Sequence, residues 1–185
     1  MVSAAEFRTA LARFPSGVTL ITTRGGREGA RGLTVSAFCS VSLEPSLVLA
    51  CVARSARTLP VLLRAGRFGV SLLGARHRGL AHLFASTATD KFQGAWTTLV
   101  PDGCPVLPDA VFAMECLVHS TFTAGDHEVI IGAVEAVAIG DEEAIVFHNR
   151  AMRHLGETDV GRAGGGASLN PREAGQIHGA SSARS

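Results

Sequence analysis

The segment Thr-Ala-Thr-Asp-Lys-Phe-Gln-Gly at 87–94 carries the chain's single lysine, Lys91, against sixteen arginines. It closes an irregular loop just before Phe92, an aromatic beside a cation, and the question is what it does that a further arginine would not. The default reading is a solvated surface lysine in a chain rich in Arg, Ala and Gly. Three further constellations bear on chemistry. Thr34, Ser36, Ser40 and Ser42 recur at even positions of an extended stretch. They form either a solvent-facing strand edge or a hydrogen-bonding wall for a flat polar heterocycle, whose ring nitrogens and carbonyls need several partners at fixed spacing. Arg-Ser-Ala-Arg-Thr at 54–58 lies where an apolar strand gives way to a helix. Its first-turn amides and polar side chains suit a phosphate, or form an ordinary helix cap with two surface arginines. Ala-Gly-Asp-His-Glu at 124–128 is a tight turn in which His127 is either a ligand-facing group or a plain loop residue.

Other chemistries lack their residues. No G-x-x-x-x-G-K-[ST] occurs, and the glycines at 164–166 follow no strand, so neither common nucleotide fingerprint is present. G-x-S-x-G is absent, which weakens a hydrolase reading. His77 and His82 fall on different sides of a helix, and His127-Glu128 has no second zincin histidine, so the expectation is no metal. The four cysteines, at 39, 51, 104 and 116, have no C-x-x-C spacing and are expected to be buried free thiols.

Composition sets the frame. A chain of 185 residues suits one domain. With 46% hydrophobic and 18% charged residues it carries apolar surface in need of cover, for which a second subunit is the expected source. A net charge of +1 with scattered arginines argues against nucleic acid. Glu6, Arg8 and Arg13 interrupt the start where a signal peptide needs an apolar run, and the longest such run, 47–53, is too short for a membrane span, so a cytoplasmic location is expected.

The elements that must position these residues follow from capping and periodicity. Ser3 and Glu6 form a capping-box pattern for a helix to about Arg13, ended by Pro15 and Gly17. A strand at 17–23, a glycine-rich loop at 24–31 and a second strand follow. From 33 to 43 the odd positions Leu33, Val35, Ala37, Cys39, Val41 and Leu43 define a core face opposite the hydroxyls. The run 46–53 is apolar on both faces and reads as a central strand. Ser55 reads as the N-cap of a short helix closed by Gly66, before a strand at 67–74 and a helix at 76–85. A long hairpin turns at 124–127, with Phe112 and Met114 in the core, and a last strand spans 144–148. About seven strands with short helices predict a mainly β fold, an antiparallel barrel whose closure removes exposed edges. The domain is expected to end near 160, before a Gly/Ala/Ser/Arg-rich tail at 161–185 expected to be disordered.

Phe-Pro-Ser-Gly-Val-Thr-Leu-Ile-Thr-Thr at 14–23, the run from Gly32 to Thr58, Arg67 to Leu73, Asp90-Lys91-Phe92, Ala124 to Val137 and Ile145 to His148 occur in an order that resembles the short-chain flavin reductases of two-component monooxygenases, above all those of actinomycete aromatic polyketide pathways. The resemblance covers roughly 5–155 and implies a split β-barrel homodimer that binds FMN or FAD and takes hydride from NADH, or NADPH. It implies that Thr34, Ser36, Ala37 and Ser40 line the flavin ring and that Ala53, Ser55 and Thr58 approach the ribityl phosphate. Lys91 and Phe92 would close the phosphate end, and His127 beside Asp126 would meet the nicotinamide as the catalytic residue. Arg150 is a further candidate, whereas Met152 replaces the aromatic usual in that segment and is left out. Such chemistry needs no nucleophile, because the cofactors carry it, and a partner monooxygenase receives the reduced flavin by diffusion. Alternatives on the same residues are a carrier or sensor holding FMN without turnover, a pyridoxal-phosphate protein with Lys91 as Schiff base, and an assembly module with a vestigial pocket.

Overall fold

A computed structural model describes residues 1–26 and 29–155, and Met1–Leu155 form one compact unit. Part of the glycine-rich loop, the expected domain end near 160 and the tail at 161–185 lie outside the described residues. The first helix, α1 (Ala4–Leu11), starts as its capping box dictates. The Glu6 amide donates to the Ser3 hydroxyl at 3.2 Å, and the Ser3 amide donates to the Glu6 carboxylate at 2.9 Å. There follow β1 (Ser16–Gly17), β2 (Thr19–Arg24), β3 (Ala30–Val35), β4 (Phe38–Leu43), β5 (Ser46–Ala53), α2 (Leu59–Ala65), β6 (Arg67–Leu72), α3 (Arg78–Ala85), β7 (Phe112–Ala124), β8 (His127–Ile139), β9 (Ile145–His148) and β10 (Ala151–His154). The last of these was not expected from the sequence.

The strands form an antiparallel seven-stranded sheet, ordered β3-β2-β6-β7-β8-β5-β4, and a small sheet ordered β1-β9-β10. The expected closure does not occur through hydrogen bonds. Strands β3 and β4 are consecutive in the chain yet stand at opposite ends of the order, and the link through Ser36 and Ala37 carries the chain between the two edges. Strand β5 is second from an edge rather than central. Val48, Ala50 and Val52 are buried and their alternates only half so, because nothing among the described residues covers its outer face. It is β2 that is buried on both faces. Ile21 enters a cluster with Leu59, Leu62, Phe68 and Ile130, whereas Leu20 enters another with Leu73, Phe84 and Ile145.

Two helices plug these cores. Gly66, at φ 67°, supplies the left-handed cap that ends α2, as the sequence predicts. Ser55 is not the N-cap of α2: the chain makes a further turn, and the helix starts after Thr58, whose hydroxyl donates to the Gly32 carbonyl at 3.4 Å. Helix α3 lies close on β3 because residue 32 has no side chain. A methyl at Gly32 would stand 2.5 Å from Phe84 Cε1 and 3.2 Å from the Ile21 carbonyl oxygen. Gly32→Ala is therefore expected to lower the unfolding free energy by about 1–3 kcal/mol, the usual cost of overpacking. Urea denaturation measures it, and an unchanged midpoint would mean that α3 shifts outward freely.

The single alternating face expected over 33–43 is split. In β3, Leu33 and Val35 face the barrel interior, and Thr34 faces α3, donating to the Ala81 carbonyl at 2.7 Å. After the bend the phase inverts. Phe38 packs on the interior cluster and Ser40 pairs with buried Val48, leaving Cys39, Val41 and Leu43 exposed, Leu43 at 85%. A register shift between Ser40 and Ser42 moves the end of the strand again. Period-two reading assumes an unbroken pleat, and the bend at 36–37 breaks it. Of the cysteines, 104 and 116 are buried as expected and 39 is exposed. Burial and the neighbouring Cys104 and Glu115 push the Cys116 thiol up to about 12.

Candidate active site

A cleft of about 720 Å³ runs along the outer edge of β3, between the β5–α2 turn and the segment after α3. Thr34, Ser55, Thr58, Lys91 and Phe92 all line it, so five of the twelve residues singled out from sequence come together around one cavity. Two of the hydroxyls are already engaged. Thr34 ties β3 to α3 and Thr58 ties the turn to β3, so their side chains shape the wall and their oxygens retain acceptor capacity. Ser55 is exposed at the cleft.

Lys91 has a definite local structure. Its ammonium donates to the carbonyls of Phe84 at 2.9 Å and Ser86 at 2.8 Å, and lies 5.7 Å from the centre of the Phe84 ring. These carbonyls belong to the end of α3, where backbone acceptors lack helical partners and a cation is favoured. An ammonium has three donors, so one remains for the cleft. Partial burial, then the nearby charge of Arg57, lowers the Lys91 pKa. Arg57 itself donates to the Thr87 carbonyl at 3.0 Å, across the cleft from its own turn. Phe92 anchors the segment from beneath, with its ring 5.2 Å from Phe84 and 4.9 Å from Trp96.

Among the described residues three cations, Arg31, Arg57 and Lys91, line the cleft and no carboxylate does. That charge balance fits a phosphorylated ligand. Arg31 went unnoticed in the sequence; its neighbour Gly32, where α3 presses on the strand, is the one local sign of it.

A second group of residues lies beyond the bend. The Cys51 amide donates to the Ala37 carbonyl at 3.0 Å, Ala53 pairs with His127, and the Arg54 amide donates to the Asp126 carbonyl at 3.0 Å. Ala37, Ala53, Asp126 and His127 are thus brought onto neighbouring strands around the end of β5. The hairpin turns through Gly125, at φ 63°, where a side chain would be strained. His127 Nδ1 is 2.8 Å from the Asp126 carboxylate. A carboxylate only accepts, so Nδ1 carries the proton and Nε2 is left for another partner. That hydrogen bond, then the His127 charge, holds Asp126 below the usual carboxylate range. Ser36 is exposed at the bend and Ser40 is exposed on β4. Arg150 is not brought to either group. It stands in a left-handed conformation at the β9–β10 turn, φ 62°, lining a separate hollow of about 250 Å³ with Arg13 and Thr9. Met152 packs in the core against the α3 cluster.

The fold is thus an antiparallel sheet curled so that its edge strands β3 and β4 leave one seam, with a cation-lined cleft along β3 and a histidine turn at the end of β5. The chain belongs to the flavin reductase like domain family, whose profile matches residues 11–156. It is 42% identical over 135 residues to the actinorhodin polyketide dimerase of Streptomyces coelicolor, covering 73% of this chain and 76% of that one. It is 38% identical over 150 residues to the reductase component of 4-hydroxyphenylacetate 3-monooxygenase of Thermus thermophilus, covering 80% and 95%. Among solved structures, the Streptomyces globisporus NADH:FAD oxidoreductase SgcE6, in complex with NAD and FAD fragments, superimposes with a TM-score of 0.78 at 32% identity, covering 84% of this chain and 94% of that one. The flavin reductase PheA2 does so with 0.77 at 30% identity, covering 84% and 100%.

Proposed function

We propose that this protein is an NAD(P)H:flavin oxidoreductase, with NADH preferred, that reduces free FMN or FAD and passes the reduced flavin by diffusion to a partner monooxygenase in aromatic polyketide biosynthesis. The observation that carries the reading is the cation-lined cleft, which suits a phosphate and whose lining reaches Ser55, two residues from the Ala53 that pairs with His127; the small side chains of Ala37 and Ala53 would leave room there for a flat ring. Bound flavin supplies the hydride-accepting ring, so the chain needs neither nucleophile nor metal. Its own work is to hold and orient. Ser55, Thr58 and Lys91 would hold the phosphate end, with Arg57 drawn from Thr87 onto the ligand. Thr34, Ser36, Ala37, Ser40 and Ala53 would border the ring, and Asp126 fixes the His127 tautomer so that Nε2 meets the nicotinamide. Stacking at reacting distance converts an encounter of two cofactors into an internal event.

Homology to reductase components of monooxygenases supports the partner, and homology to an actinorhodin enzyme supports the pathway. The protein is proposed to act as a homodimer. Phe14 on the α1 side, Leu43 on β4 and Ile139 on β8 are 69%, 85% and 85% exposed, which is apolar surface that a second copy would cover. Arg150, far from the cleft of its own subunit, would then reach the site of the other. A cytoplasmic setting suits four free cysteines, and among the described residues no helix is long and apolar enough to cross a membrane.

Purified protein is expected to oxidise NADH under air only when free flavin is added, with saturation in flavin. Absence of oxidation by either nicotinamide, in a protein that still binds FMN, would replace this reading with a carrier or sensor that holds flavin without turnover.

A further inference from the structure

The cleft is longer than one phosphate requires. About 720 Å³ is the space of a whole ligand, yet the ring-bordering residues Ala37, Ala53 and His127 lie outside its lining, so on the flavin reading only the ribityl phosphate of a mononucleotide would enter it. From Thr34 the lining continues back along β3 to Arg31 and Ala30. Three residues of strand carry it roughly 10 Å further from the bend.

Arg31 stands at that far end. Gly32 and Thr34 face α3, as the closeness of Phe84 to Gly32 and the Thr34 bond to Ala81 establish. Alternation therefore turns Arg31 to the other side, that of Leu33 and the 55–58 turn. The side chain is half-buried and makes no hydrogen bond or ion pair among the described residues. Arg24, Arg57, Arg67 and Arg76 all have partners there. A guanidinium partly withdrawn from water without an acceptor is unusual, and it is suited to the fork geometry of a phosphate. Arg57 and Lys91 are placed for one phosphate; Arg31 is placed for another, further along.

We propose that Arg31 binds the second phosphate of a dinucleotide flavin, so that the cleft selects FAD over FMN, with the adenosine half lying along β3 towards Ala30. The role of Arg31 presupposes the flavin reading above.

Equilibrium binding of FAD, FMN and riboflavin, followed by quenching of flavin fluorescence on titration with the full-length protein, separates the two. FAD is expected to bind at least about tenfold more tightly than FMN. Arg31→Ala is expected to reduce the FAD-to-FMN affinity ratio about tenfold, and Arg31→Gln, which keeps the packing of the stem, to reduce it nearly as far. Equal affinities for FAD and FMN in the parent protein, or a variant that weakens both alike, would overturn the role of Arg31 and leave the flavin reading intact. Failure of all three flavins to bind would overturn both.

Discussion

Glu115→Leu is expected to lower the unfolding free energy by about 2–5 kcal/mol, because each buried donor left without an acceptor costs about 1–3 kcal/mol. Glu115 lies in β7 and is 1% exposed. Its carboxylate accepts from the amides of Leu99 at 2.6 Å, Cys104 at 2.9 Å and, more weakly, Val100 at 3.4 Å. The loop from Thr97 to Val106 has one bridge of its own, between those two residues, so the carboxylate satisfies backbone that has no strand partner. Gly103 presses directly on the carboxylate, where any side chain would collide with it. For a domain of this size the loss corresponds to roughly 5–15 °C in melting temperature. Glu115→Gln is expected to lose less, since its amide oxygen still accepts while its NH2 group faces an amide donor. A melting curve for the leucine variant that overlays the parent would mean that the loop finds other acceptors, water included. The loop also follows the segment that supplies Lys91 and Phe92 to the cleft, so weaker flavin binding should accompany the loss.

Lys91→Ala is expected to raise the flavin KM by ten- to a hundredfold with little change in limiting rate, from a charge-assisted contact of about 1.5–3 kcal/mol. The structure adds a second effect. Removing the ammonium frees the Phe84 and Ser86 carbonyls at the end of α3, so the melting temperature should fall as well, by a few degrees for a net loss of about 1 kcal/mol. The two effects separate in Lys91→Arg. A guanidinium still caps carbonyls and restores much of the stability, but its planar fork follows a mobile phosphate less well. A variant with lowered melting temperature and an unchanged flavin KM would confine Lys91 to the helix end. Borohydride trapping at Lys91 in the presence of pyridoxal phosphate would instead favour the Schiff-base alternative.

Legibility divides along the range of the forces involved. The Ser3–Glu6 capping box, the Gly66 cap and the Gly125–Asp126 hairpin were readable because each is fixed by residues within four positions of one another. Ser55 as an N-cap was a local reading that failed: the chain makes a further turn, and the helix starts after Thr58, whose hydroxyl is bonded to the Gly32 carbonyl on β3. Cys39 and Cys51 were expected to be buried with their apolar neighbours. Cys39 is exposed because it follows the bend, and Cys51 is only half-buried on the less covered face of β5.

The sequence by itself determined the inventory of chemistry: hydroxyls on an extended segment, scattered cations, a histidine beside an acidic turn, and a high apolar fraction. Those follow from residue type and short-range spacing. Only the tertiary structure decided which side of the sheet each hydroxyl faces, because a bend at Ser36–Ala37 reverses a period-two pattern that continues through it unbroken in sequence. It alone decided that Lys91 caps a helix seven residues behind it while lining a cleft, that Arg31 stands in that cleft with no partner among the described residues, and that Arg150 stands apart from it. Each of these depends on which strands become neighbours, and strand neighbours are set by the packing of the whole core rather than by any window of residues.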